Sequence, residues 1–170
     1  MNAKLPHLIQ RLFKARTERK KAEVPDNLFL QCPSCQNTIY RKKIEHNHHI
    51  CPHCEHHFMM SSKDWTELLF DKNSIRLLFS QYKTMDILDF PGYSEKIKKY
   101  AQKGVNEGVD TGKAKIKGIP VLFAIMNSDF MMGSMGSVVG ERITRLFEKG
   151  ANQNLPVLIV SRSGGARMQE

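Results

Sequence analysis

The chain has 170 residues, of which 41% are hydrophobic and 25% charged, and a formal net charge of +9. That supports a packed core in one medium domain, or in a small module followed by a larger one. The longest apolar run, Ile119 to Met126, is far too short to span a bilayer, and no secretory leader pattern opens the chain. The basic N-terminus lacks the serine enrichment of a transit peptide, so the expectation is a soluble, cytoplasmic protein without a membrane span.

Residues 1–27 read as a basic arm and linker. Seven Lys/Arg lie between Lys4 and Lys21 against the single acid Glu18, and Leu8, Ile9, Leu12 and Phe13 suit a short amphipathic helix. Such an excess attracts polyanions, whether nucleic acid, an anionic membrane or a phosphorylated small molecule; it equally suits a solvated tail. Val24-Pro25-Asp26-Asn27 is the linker.

Residues 28–60 hold all four cysteines, Cys32, Cys35, Cys51 and Cys54, as two C-x2-C pairs separated by fifteen residues. Each pair sets two thiolates on one side of a tight turn, and a hairpin between the pairs brings them into an all-sulfur tetrahedron. Zinc suits that site, because thiolates satisfy it and no open position is needed. A thioredoxin-like dithiol would need one C-x-x-C beside a βαβ unit, and iron–sulfur clusters usually show other spacings. With four thiolates available, His46, His48, His49, His53, His56 and His57 read as surface residues. The metal is structural, since a module this small cannot fold on apolar burial alone.

Residues 61–170 alternate between helical and strand-like patterns, which indicates a layered α/β domain. Ser61 to Trp65 opens a helix with Trp65, Leu68 and Leu69 on one face. Ser94 to Lys103 predicts an exposed helix ending at Gly104. Val109 to Lys117 alternates towards the turn Lys117-Gly118, and Ile119 to Met126 is a buried strand. Val138, Val139, Ile143, Leu146 and Phe147 predict a helix stopping near Gly150. Leu155 to Val160 is a second buried strand, with another helix expected after Ser163-Gly164-Gly165.

Two glycine-rich segments each follow a buried strand: Phe130 to Glu141, and Ser163 to Glu170. Neither fits the dinucleotide or phosphate-loop pattern. Glycines there allow close backbone approach and turn N–H groups outward, so adjacent amides can stabilise a thioester oxygen as it becomes an enolate. They equally suit plain strand–helix turns. No Ser–His–Asp, Cys–His or paired-carboxylate set accompanies them, so any catalysis depends on oriented amides and a group on the substrate or cofactor.

Taken in order, the cysteine ribbon, Asp89-Phe90-Pro91-Gly92-Tyr93, Phe130 to Glu141 and Ser163 to Glu170 resemble the carboxyltransferase β subunit of bacterial-type acetyl-coenzyme A carboxylase. The resemblance covers nearly everything from Leu28 onward. It implies a crotonase-like fold of ββα units behind the ribbon, of which residues 61–170 form the N-terminal portion. It implies transfer of a carboxyl group from carboxybiotin on a carrier protein to acetyl-coenzyme A, giving malonyl-coenzyme A for fatty-acid synthesis. Implied partners are a carboxyltransferase α subunit in an α2β2 heterotetramer, the biotin carboxyl carrier protein and biotin carboxylase. Gly164 and Gly165 match the family's Gly-Gly pair and stand as backbone donors near the thioester. Gly133, Ser134, Met135, Gly136 and Ser137 match a segment that shapes the acyl-coenzyme A pocket. Arg167 either contacts substrate phosphate or braces the loop.

Three departures stand out: Met132 where many members have a first glycine, Arg162 where a small residue is usual, and Ile87 in place of a proline. Members also continue beyond Glu170 with further core, so residues 1–170 alone are expected to lack carboxyltransferase activity. A nucleic-acid-binding zinc module, resting on the ribbon and Lys14, Arg16, Arg19, Lys20 and Lys21, is the alternative, and a non-catalytic truncated copy is a third.

Overall fold

The computed structural model describes residues 28–170, so the expected arm, its short helix and the linker lie outside the described residues. Contacts divide the chain between Phe58 and Met59 into two units.

In the first unit, strands β1 (Phe29–Gln31) and β2 (Thr38–Tyr40) form an antiparallel pair that flanks the first C-x-x-C turn. The expected hairpin between the cysteine pairs is instead a short helix, α1 (Arg41–His46), running directly on from β2. Ile44 on that helix is buried with Ile39, Cys32 and Cys51, while Leu30 and Phe58 pack at the edge. Few apolar side chains share that core, so burial alone stabilises the unit little.

The second unit is a four-stranded sheet ordered β3-β4-β5-β6. Its strands are β3 (Arg76–Leu77), β4 (Val109–Ile116), β5 (Ile119–Met126) and β6 (Val157–Val160). The first three pair antiparallel, and β5–β6 is parallel. The β4–β5 turn places Lys117 and Gly118 at φ 49° and 81°, the two positive values that a two-residue hairpin requires. The Asp71 carboxylate accepts both of their N–H groups, at 2.9 and 2.7 Å.

Strand β5 is continuously apolar, and from Val121 to Met126 both its faces are covered, whereas Ile119 and Pro120 beside the turn are exposed. Leu122, Ala124 and Met126 pack with Val139 and Leu146 of helix α4 (Ser137–Gln153). Val121, Phe123 and Ile125 pack with Phe70, Trp65 and Leu69, the last two on helix α2 (Ser62–Leu69). Ser61 caps α2 as expected, with a reciprocal bond to Asp64, whereas Leu68 is largely exposed. Helix α3 (Tyr93–Gln102) begins one residue earlier than expected and buries Tyr93 beside Phe130 and Met131.

Two expectations change here. Helix α4 runs through Gly150 to Gln153, because Gly150 is a close-packing point: a Cβ there would lie 2.7 Å from the Val157 side chain. No helix begins within residues 161–170, whose backbone instead turns back along the first glycine segment.

Gly112 is the tightest point in the sheet. A Cβ there would sit 2.6 Å from both the Arg76 carbonyl oxygen and the Phe123 ring, and the oxygen belongs to the paired strand. Gly112→Ala is therefore expected to destabilise the second unit by about 2 kcal/mol, measured by urea unfolding followed at Trp65.

Candidate functional site

The two C-x-x-C turns repeat one backbone pattern. Cys32 N–H donates to Asn37 O and Gln36 N–H to Cys32 O; Cys51 N–H donates to His56 O and Glu55 N–H to Cys51 O, all at 2.8–3.0 Å. Gln36 and Glu55, the matching positions, take φ 59° and 61°. The four sulfurs lie within 4.8 Å of one another, with Cys32–Cys54 at 3.7 Å and Cys35–Cys51 at 3.8 Å. A tetrahedron with metal–sulfur bonds of about 2.3 Å has edges of about 3.8 Å. These separations fit a shared metal and far exceed a disulfide bond of about 2 Å.

The electrostatics agree. The Asn37 backbone N–H lowers the Cys35 thiol to about 6. The His56 backbone N–H pulls on Cys54 likewise, but burial and the shared sulfurs of Cys35 and Cys51 push it up to about 11. Four clustered thiols cannot ionise together without a cation, and a divalent metal supplies that charge. Cys32, Cys35, Cys51 and Cys54 would hold a structural zinc ion. Among the described residues they are the only such cluster, and His46, His48, His53 and His57 lie at solvent.

In the second unit, the two glycine segments are zipped together. Gly164 N–H donates to Met132 O (2.9 Å), Met135 N–H to Gly165 O (2.8 Å) and Arg167 N–H to Met135 O (2.9 Å). Close approach needs glycine at Gly133, where a Cβ would collide with the Arg162 carbonyl, and at Gly136, where it would collide with the Glu170 carboxylate. Gly165 takes φ 109°, a conformation that side chains rarely adopt.

Arg167 underlies both segments and is 3% exposed. Its Nε donates to Ser134 Oγ (3.2 Å), and its Nη2 to Ser134 O (2.7 Å) and Glu107 Oε1 (3.4 Å). Its Nη1 faces Thr84 Oγ1 (2.9 Å), Glu170 Oε1 (2.9 Å) and Tyr93 OH (3.3 Å). The guanidinium also stacks 5.1 Å from the Phe130 ring centre. These contacts tie the guanidinium to acceptors on both glycine segments. Burial works to discharge the guanidinium, but hydrogen bonding to Tyr93 and the charges of Glu107 and Glu170 raise its pKa.

Glu170 has the role least visible in the sequence. Its carboxylate accepts from Tyr93 OH and from both the backbone N–H and the hydroxyl of Ser137, at the first turn of α4. A helix N-terminus attracts an anion, and here the anion is the protein's own. Burial opposes its ionisation, but the Tyr93 and Ser137 hydrogen bonds and Arg167 hold its carboxyl below the usual value. Burial and Glu170 push the Tyr93 hydroxyl up to about 12. Glu107, Thr84 and Tyr93 complete the network although no sequence motif marked them as a set.

Gly164 and Gly165 are both engaged. The Gly164 N–H is tied to Met132 O, and the Gly165 N–H donates to Ser163 Oγ at 3.1 Å. Rotation of the exposed Ser163 side chain frees the second, whereas freeing the first requires backbone movement. Arg162 donates to the Met60 carbonyl. Arg142, also unmarked in the sequence, is buried against the carbonyls of Tyr82 and Val109 and fastens α4 to β4.

Residues 75–170 match the carboxyl transferase domain, and the chain belongs to that family. Residues 29–54 match the acetyl-CoA carboxylase zinc finger domain. In shape, the chain resembles transcarboxylase 12S with methylmalonyl-coenzyme A and methylmalonic acid bound. That match has a TM-score of 0.54 and 20% identity, and covers 100% of this chain and 27% of that one. A second transcarboxylase 12S structure, with hydrolysed methylmalonyl-coenzyme A, gives 0.52 and 24%, covering 76% and 22%. A single-chain, multi-domain long-chain acyl-CoA carboxylase gives 0.53 and 16%, covering 64% and 11%. The chain thus spans about a quarter or less of the length of these proteins. The fold is crotonase-like, preceded by a zinc ribbon. No helix among the described residues is long and apolar enough to cross a membrane.

Two outcomes test the sites. Chelating the zinc, or replacing Cys51 with Ser, is expected to collapse the dispersed amide NMR signals of residues 28–58, because metal binding supplies that unit's folding free energy. Glu170 has a lowered pKa in the folded state. Its contribution to stability is therefore complete above its ordinary value of 4.5 and lost as pH falls through the lower folded value. The stability gap between wild type and Glu170→Gln, measured by urea unfolding, should shrink as pH drops from neutral to below 4.5.

Proposed function

We propose that the chain serves as the β-type subunit of a bacterial-type acetyl-coenzyme A carboxylase, carrying out carboxyl transfer from carboxybiotin on a carrier protein to acetyl-coenzyme A in the cytoplasm. The product is malonyl-coenzyme A for fatty-acid synthesis. The observation that carries this reading is the presence in one chain of the acetyl-CoA carboxylase zinc finger and the carboxyl transferase domain. The partners are a carboxyltransferase α subunit in an α2β2 assembly, the biotin carboxyl carrier protein and biotin carboxylase.

In this mechanism the biotin on the carrier supplies the carboxyl group and a base for the methyl proton. The protein's part is to hold the thioester and stabilise charge on its carbonyl oxygen. Gly165 is the better donor of the glycine pair, because rotation of a serine hydroxyl exposes its N–H, while Gly164 lies beside it. Gly133, Ser134, Met135, Gly136 and Ser137 form the opposing wall of the acyl-coenzyme A site. Arg167 and Glu170 keep the two segments in register from beneath. The zinc ribbon acts as a lid or docking element. Lys42 and Lys43 at solvent on α1 support an added polyanion-binding role for the ribbon, with salt-dependent binding to nucleic acid as its signature.

Malonyl-coenzyme A formation in the native assembly, supplied with carboxylated carrier and acetyl-coenzyme A, tests the reading. Gly165→Ala keeps the N–H but cannot hold φ 109° without strain; turning that amide out of line is expected to lower kcat about 100-fold, the scale of a lost oxyanion donor, with circular dichroism checking that the fold survives. A wild-type assembly that forms no malonyl-coenzyme A would overturn the proposal and favour the non-catalytic copy.

A further inference from the structure

Met132 holds an unusual position for a side-chain-bearing residue. Met131, Met132 and Gly133 run consecutively at φ 46°, 56° and 67°. The left-handed region costs a non-glycine residue roughly 1 kcal/mol or more, and strain of this kind persists where the surroundings impose it. Met132 is nonetheless 73% exposed, so burial of its side chain does not offset that cost. Its carbonyl accepts the Gly164 N–H at 2.9 Å. Its side chain reaches over the same residue: a Cβ built on Gly164 would lie 3.3 Å from Met132 Cβ and 3.7 Å from its Cε. Met132 therefore lies against one side of Gly164 with both its backbone and its thioether, while Gly164 itself stays exposed.

Two further exposed methionines sit on the zipped segments, Met135 at 51% and Met168 at 84%. Met135 bridges Ala166, and Met168 follows the braced Arg167. Unbranched thioethers make an adaptable apolar contact surface. A charged headgroup gains nothing from three thioethers, whereas an acyl chain does.

We propose that Met132 is a specificity-determining residue, a thioether flanking Gly164 that sets the acyl length accepted beside the glycine pair, with the exposed Met135 and Met168 adding apolar surface on the same two segments. The inference rests on the acyl-coenzyme A reading above. A thioester with a short acyl group fits beside the thioether, and a longer chain must displace it. Glycine at this position would leave the space open and also relieve the backbone, since glycine adopts positive φ freely.

The protein in its native assembly offers its own internal control, because Met59 and Met85 are comparably exposed, at 76% and 67%, and lie outside both glycine segments. Peroxide oxidation of each methionine, read by mass spectrometry, is measured with acetyl-coenzyme A, octanoyl-coenzyme A, free coenzyme A or no addition. The acyl thioesters should slow oxidation of Met132 severalfold more than that of Met59 or Met85, and more than free coenzyme A does. In parallel, Met132→Gly should shift the ratio of octanoyl- to acetyl-coenzyme A affinity about tenfold towards octanoyl, the scale of a changed apolar contact, without lowering Tm. If thioesters bind but leave Met132 unprotected, or the affinity ratio is the same in the variant, the specificity role is wrong while the acyl-coenzyme A reading stands. If no thioester binds the wild-type assembly, the functional reading itself fails and this inference falls with it.

Discussion

The Arg167 guanidinium is the point at which the second unit's loops meet. Residues 84, 93, 107, 134 and 170 come from separate parts of the chain, and each supplies an acceptor to the same buried cation. Burying a cation is expensive unless it is paired and its donors are satisfied. The requirement is therefore mutual: Arg167 needs those acceptors, and buried Glu107 needs Arg167, Thr84 and the Gly108 amide. A network with these demands tolerates few alternative loop arrangements. Both glycine segments inherit their geometry from it.

Glu170 extends the constraint to α4. The carboxylate at the first turn of that helix links Arg167 and Tyr93 to Ser137. Since α4 is fixed to the sheet by Val139, Leu146 and the buried Arg142, the glycine pair is indirectly fixed to β4 and β5. Backbone amides can act as donors only if the chain holds them in place before a ligand arrives. The sheet and the buried ion network together provide that rigidity, while the exposed Met132 and Ser163 leave the surface above it adjustable.

The ribbon solves a different problem with different chemistry. Its apolar core is too small to hold the backbone, and the sulfur tetrahedron takes that role. Two turns with the same hydrogen bonds, ending in the same positive-φ residue, present the thiols at distances a zinc ion bridges. Glutamine and glutamate at those positions explain why glycine was not available as a sequence signal for the turns. The helix α1 between them was missed for a related reason: six residues are too few for a periodic pattern to emerge.

By itself, the sequence determined what is local or compositional. The cysteine spacing identified the metal site, the apolar run of β5 its burial on two faces, Ser61 and Asp64 the start of α2, and the glycine segments the candidate site. Tertiary structure alone decided how these parts are used. Gly150 read as a helix stop and serves instead as a packing point against Val157. Arg167 read as either a phosphate contact or a loop brace, and Glu170 only as the end of a motif; their partners, up to 83 positions away, come together only in the fold. Met132 read as a replaced glycine, and it lies against Gly164. The physical reason is that spacing along the chain reports only interactions of nearby residues. Which acceptors surround a buried charge, and which backbone a glycine must clear, depend on segments that meet only after the sheet has formed.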